Sequence, residues 1–137
     1  MIINDEKFKE KIVKEIDQLV NGHGVVWKKV TDDNTLDFMT EARYADTKQA
    51  IRFITIGYRV CRYEKTNKII IYDYSLKKKN IPISTEEMPS IIIEEFGTKG
   101  IMYQLLMKIK DEYEKEQEKK DQAFLDKYIL FLNSKLQ

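Results

Sequence analysis

"AIRFITIGYRVCRYEKTNKIIIYDYSL", residues Ala50–Leu76, decides the fold. Its apolar side chains alternate instead of recurring every three or four residues. Ile54, Ile56, Tyr58 and Val60 share one face of an extended chain from Ala50 to Tyr63. Ile51 and Phe53 lie on the opposite face, so the apolar phase slips near the start. A bulge there, or burial of both faces, accounts for the slip, and Gly57 offers a place for a bend. Glu64-Lys65-Thr66-Asn67 closes a hairpin. Lys68 to Leu76 returns with Ile70, Tyr72, Tyr74 and Leu76 on one face and Ile69, Ile71 and Asp73 on the other.

The same period of two continues upstream. Leu36, Phe38, Thr40, Ala42 and Tyr44 face one way, while Asp37, Glu41 and Arg43 face the other, the pattern of a half-buried strand with a solvated face. Thr31-Asp32-Asp33-Asn34 is a turn cluster, and Val25 to Val30 precedes it as a short strand. Four consecutive strands with short connections predict an antiparallel meander over residues 25–76.

Helical spacing flanks this sheet. Asn4 is positioned as an N-cap, with Asp5 and Glu6 in the first turn, where the helix dipole favours acids. Phe8, Ile12, Ile16, Leu19 and Val20 form one apolar stripe, which predicts a helix over 4–21 with Gly22 as a left-handed C-cap. Beyond the sheet, Ser84 and Glu87 resemble a capping box, but Pro89 would disturb a helix begun there. Pro89 is better placed to open a short helix through Phe96.

Ile101 to Gln137 contains neither glycine nor proline. Met102, Leu105, Leu106, Ile109 and Tyr113 form an apolar helical face there. "EKEQEKKDQ", Glu114–Gln122, contains no apolar residue, and a second, denser apolar group follows from Phe124 to Leu136. Asp111–Lys115 and Glu116–Lys120 would support a continuous helix, each by about 0.2–0.5 kcal/mol. One straight helix over 101–136 would span about 54 Å at 1.5 Å per residue, longer than a compact domain of this size. Its far end must therefore fold back as a helical hairpin or meet another chain. The expected architecture is α+β in a single domain, 1–137. It comprises helix 4–21, sheet 25–76 and a helical region 86–136 of two or three helices packed on one sheet face.

Composition narrows the function. With 42% hydrophobic and 34% charged residues, the chain is globular with a heavily charged surface. Lys and Arg number 24 against 23 Asp and Glu, a net +1, so no global basic field draws in nucleic acid. The single cysteine, Cys61, allows no internal disulfide and no cysteine-based zinc site. One thiol, and a start that turns charged by Asp5, predict a reducing cytoplasm. No apolar run reaches the roughly 18 residues of a membrane span, so no membrane partner is expected.

Chemistry-bearing residues are few. His23, the only histidine, sits between Gly22 and Gly24 just before the only tryptophan, Trp27. A general base needs an orienting partner, and no recognisable spacing supplies one. The stretch reads instead as a helix end followed by a strand, with Trp27 a core or interface aromatic. Cys61 reads as a small buried hydrophobe, although Arg59 and Arg62 flank it. Asp37 and Glu41-Ala42-Arg43 could be stretched toward a metal-dependent nuclease, but acids on a solvated strand face are common; an enzymatic reading in general would fall to His23, Asp37 and Glu41. Phosphate loops, paired metal-ligand histidines and the nucleophile elbow are absent from the sequence. No catalytic residue, metal or cofactor is assigned.

Two binding surfaces remain. Arg52, Arg59, Arg62, Lys65, Lys77, Lys78 and Lys79, interleaved with tyrosines, make the hairpin 52–79 an alternative nucleic-acid site. The stronger candidate is Phe124 to Leu136, apolar on nearly every side, with Phe124, Tyr128, Phe131 and Leu132 as contacts for a protein partner or a second copy of the chain.

In size, in richness of lysine, glutamate and isoleucine, and in lack of catalytic signatures, the chain resembles small accessory proteins of phages and mobile elements. Inhibitors of host defence and toxin-neutralising immunity proteins are examples. The resemblance is compositional and rests on no particular residue. It implies a non-enzymatic cytoplasmic protein that occludes a protein partner, or sequesters a ligand, one for one.

Overall fold

The computed structural model describes residues 2–22, 25–30, 36–45, 53–73 and 90–136. They form β1 (Ile2–Ile3), α1 (Glu6–Asn21), β2 (Lys28–Lys29), β3 (Asp37–Ala45), β4 (Phe53–Tyr63), β5 (Thr66–Asp73), β6 (Ser90–Phe96) and α2 (Ile101–Leu136). The fold is α+β, but the sheet is neither four-stranded nor wholly antiparallel. Its order is β1-β6-β5-β4-β3-β2, six strands. β2 to β6 pair antiparallel in succession, and β1 joins the far edge parallel to β6.

The two added strands correct the expectation of a four-stranded meander. Ser90–Phe96 was expected to lie in a helix and is a strand instead. Ile91, Ile92 and Ile93 explain why: β-branched side chains lose rotamer freedom in a helix and pack well on a pleated surface. Ile93 is buried beside Ile69, while Ile92 faces the other way beside Ile70. Ile2 and Ile3 pair with Ile92 and Ile93, a contact too short to leave any periodicity in the sequence. Asp5, not Asn4, caps α1, its Oδ1 accepting from the Lys7 N–H at 2.9 Å and the Phe8 N–H at 3.4 Å. Gly22 ends α1 in an extended conformation, φ −79° and ψ 149°, so the expected left-handed cap is also corrected.

β3, β4 and β5 form the expected core of the sheet. Their register stacks Phe38, Val60, Ile69 and Ile93 in one row, with Thr40, Tyr58, Ile71 and Ile91 in the next. Both helices cover this face. Ile16 of α1 and Met102, Leu105, Leu106 and Ile109 of α2 are buried against it. Phe38 and Tyr113 pack with ring centroids 5.4 Å apart. Tyr58 is buried, and its hydroxyl donates to Glu15 Oε1 of α1 at 2.9 Å. Lys108 of α2 pairs with Asp17 of α1 at 2.6 Å.

The end of the sheet that launches α2 is held by polar groups. Asn67 is fully buried, its Nδ2 donating to the Gly97 carbonyl at 2.7 Å and the Glu95 carbonyl at 3.2 Å. Gly97 takes φ 91°, a left-handed conformation that glycine adopts at little cost. Glu95 turns back to accept from the Met102 N–H at 3.1 Å, satisfying one of the free donors at the start of α2. Lys9 of α1 lies 3.3 Å from the same carboxylate. Its ammonium is held above the ordinary lysine range, chiefly by its hydrogen bond to Glu6 and then by Glu95.

α2 is one uninterrupted helix of 36 residues. The expectation of two or three C-terminal helices is therefore wrong, and so is the helical-hairpin alternative. No residue in 101–136 can break a helix. The polar middle is laced by Lys110–Glu114 at 3.8 Å, Glu112–Lys115 at 3.8 Å and Glu116–Lys119 at 3.5 Å, in place of the two pairs the spacing suggested.

Candidate protein-contact surface

α2 packs on the sheet only through its first turns. Its deeply buried residues stop at Ile109, and Tyr113 is the last to touch the core. From Glu118 to Leu136 every residue is exposed. At 1.5 Å per residue, an arm of about 35 Å extends beyond Tyr113. Its polar first half, Glu114–Gln122, carries the apolar second half clear of the domain.

That second half is not apolar all round, as the sequence alone suggested. An advance of about 100° per residue places Phe131, Phe124 and Tyr128 within roughly 60° of one another, as an aromatic strip. Leu132, Leu125, Leu136 and Ile129 occupy the next roughly 60°, as an aliphatic strip. Asp126, Lys127, Asn133 and Ser134 take the opposite side, where Leu130 is the only apolar residue. Lys135 interrupts the aromatic strip, and its ammonium lies 5.6 Å from the Phe131 ring centroid.

The seven residues of the two strips are between 41% and 85% exposed. At about 200 Å² per large side chain they present roughly 800 Å² of apolar surface. The largest apolar patch of an ordinary monomer is about 300–600 Å². Of the residues expected to bind a partner, the structure places Phe124, Tyr128 and Phe131 on one strip and Leu132 at the border of the next. Leu125, Ile129 and Leu136 complete the surface. Sequence reasoning passed over them as contacts, although their 4-3-4 spacing with Leu132 was visible.

The basic hairpin does not gather its charges on one side. Arg59 and Arg62 have opposite phase on β4 and lie on opposite faces of the sheet. Arg59 forks onto Asp37, its Nε donating to Oδ1 at 3.0 Å. This bond holds the guanidinium further above its ordinary range, against a smaller opposing effect of burial. Arg62 reaches the Asn67 Oδ1 and the Gly97 carbonyl and lies 5.0 Å from the Tyr103 ring centroid. Lys68 pairs with Glu94 at 3.6 Å, and Lys65 is exposed in the turn. Arg52 and Lys77, Lys78 and Lys79 lie outside the described residues.

His23 also lies outside the described residues. Asp37 was expected on a solvated face but is only 4% exposed, enclosed with Arg59 and Cys61. Glu41 is exposed one turn of the pleat beyond Met39. Burial pushes the Cys61 thiol up, with the Asp37 charge adding to the shift. Trp27 is buried in the core. Among the described residues no group of three or more His, Cys, Asp or Glu could hold a metal ion, and no helix is long and apolar enough to cross a membrane.

These features define an α+β domain with a projecting, apolar-tipped helix. Comparison with protein-family models, curated proteins and solved structures finds no match to the chain.

Proposed function

We propose that the chain is a non-enzymatic binding protein that works stoichiometrically, occluding a protein partner with the aromatic strip of the α2 arm. The observation that carries this reading is the exposure of Phe124, Tyr128 and Phe131 on a helix that has left its own domain. Aromatic side chains supply much of the energy of protein contacts, and an i, i+4, i+7 spacing suits a helix laid into a groove. Among the described residues of the sheet, by contrast, Arg59 is paired with Asp37 and Lys68 with Glu94. A one-for-one inhibitor, of the kind that phages and mobile elements direct at host defence, would work in this way.

The test is affinity capture on the full chain beside the variant Phe124→Ala/Tyr128→Ala/Phe131→Ala. Circular dichroism confirms that both are folded. A protein retained one-for-one by the first and lost by the second is the expected result. An identical retained set on both refutes the reading.

A further inference from the structure

The aliphatic strip beside the aromatic one is unused by that contact and has its own occupant. We propose that it is a second copy of this chain, paired antiparallel along α2 from Phe124 to Leu136, so that the aromatic strips of both copies form one composite face. The inference rests on the reading of the arm as a protein-contact surface and specifies how that surface is assembled.

Three observations lead to self-pairing. First, among the described residues Tyr113 is the last of α2 to pack on the hydrophobic core, and every residue from Glu118 to Leu136 is exposed. Most helical stability in proteins comes from packing an apolar face and exposed ion pairs add little, so burial of this face would stabilise the arm. Second, the aliphatic strip alone exposes about 450 Å² at about 200 Å² per large side chain, so pairing two copies through it would cover about 900 Å², the size of a small, reversible interface. Third, Leu125, Ile129, Leu132 and Leu136 follow a heptad seam, with leucine at d and isoleucine then leucine at a.

Charge decides the direction. Extended toward the domain, the same heptad places Lys115 and Gln122 at a and Glu118 at d. A parallel pair in register would face Lys115 with Lys115 and Glu118 with Glu118. It would also set Asp121 beside Asp126 of the second copy. Like charges so placed are unfavourable. An antiparallel pair has none of these clashes. It puts Leu125 beside Leu136 of the second copy and Ile129 beside Leu132. Tyr128 then meets Lys135 of the second copy, and Asp126 meets Asn133, a cation–π contact and a hydrogen-bonding pair. In this arrangement the Tyr128 flanks of both helices lie on the same side. Phe124, Tyr128 and Phe131 of each copy therefore share one face, whereas a parallel pair would send them to opposite faces. The two domains stand at opposite ends, separated by both polar spacers.

The test uses the full chain with Cys61→Ala and a nitroxide label at Glu118→Cys, read by pulsed electron resonance and sedimentation. With the pair centred between Leu130 and Phe131, the labels should lie about 40 Å apart, from 1.5 Å of rise per residue and a helix separation of 8–10 Å. Adding Leu125→Glu/Ile129→Glu should abolish the distance and give a monomer, while Phe124→Ala/Phe131→Ala should preserve it. A monomeric unsubstituted arm, a trimer, or a distance below about 20 Å overturns the proposal. A tetramer that keeps the 40 Å distance upholds antiparallel pairing but shows the aromatic face occupied by further copies, which overturns the partner reading above. A monomer whose capture still depends on the aromatic residues leaves that reading standing and removes this one.

Discussion

Replacing Asp37 with alanine leaves Arg59 without its counter-ion in a site that is mostly closed to water. Asp37 is 4% exposed, and the Arg59 side chain is 33% exposed. Breaking a fully buried pair by removing one partner costs about 3–5 kcal/mol. An exposed pair contributes about 0–1 kcal/mol. The fork is buried at the carboxylate and wet at one edge of the guanidinium, which places the expected loss at about 2 kcal/mol. For a chain of this length that is a fall in Tm of roughly 6–10 °C. Most of the loss is the strain of the stranded charge. Asp37→Leu/Arg59→Met, which removes both charges, should therefore return to within about 1 kcal/mol of the unsubstituted chain. Urea denaturation of the unsubstituted chain, Asp37→Leu, Arg59→Met and the double variant, at a single protein concentration, gives the coupling between the two residues. A loss below about 0.5 kcal/mol for Asp37→Ala would refute the reasoning, as would a double variant as unstable as the sum of the single ones.

Other perturbations test the remaining contacts. A Cβ at Gly100 would collide with the Glu95 carboxylate, so Gly100→Ala should displace the cap of α2 and cost about 1 kcal/mol in thermal melts, with Glu95→Ala adding little to it. Ile109→Ala should cost about 2–5 kcal/mol by opening a cavity under α2, whereas Leu130→Ala on the arm should change the melting of the domain by less than about 0.5 kcal/mol. Glu64 holds φ 55° at the first central position of the β4–β5 turn, so Glu64→Gly should stabilise the chain by up to about 1 kcal/mol in urea melts. The Cys61 thiol is pushed above its ordinary value by burial, so it favours the protonated form in the folded state. Its contribution to stability is full below the unfolded thiol value of about 8.5 and is lost as pH rises through the folded value. Iodoacetamide at pH 8 should accordingly label unfolded chain much faster than native chain, and equal rates would contradict the burial.

Much of this protein could be read from alternation and spacing alone. The period of two in Phe38–Ala42, Ile56–Val60 and Ile69–Ile71 specifies three adjacent strands, because a one-residue slip would turn every inward side chain to the other face. The stripe Phe8 to Val20 specifies α1. The absence of any breaker from Ile101 onward left one long helix or a hairpin equally open, and the expected two or three C-terminal helices gave way to a single continuous α2. Tertiary structure decided what local pattern could not. Ser90–Phe96 carries no turn-bounded alternation, and its pairing with Thr66–Tyr72 is a contact between distant segments. The parallel partnership of Ile2–Ile3 with Ile92–Ile93 joins opposite ends of the chain, and two residues have no period to detect. Asp37 looked solvated because a carboxylate on an alternating strand usually is, and only the cross-strand approach of Arg59 makes its burial tolerable. The exposed face of the arm depends on where α2 stops touching the sheet. That boundary is set by the extent of the core beneath it, which no residue of the helix encodes by itself.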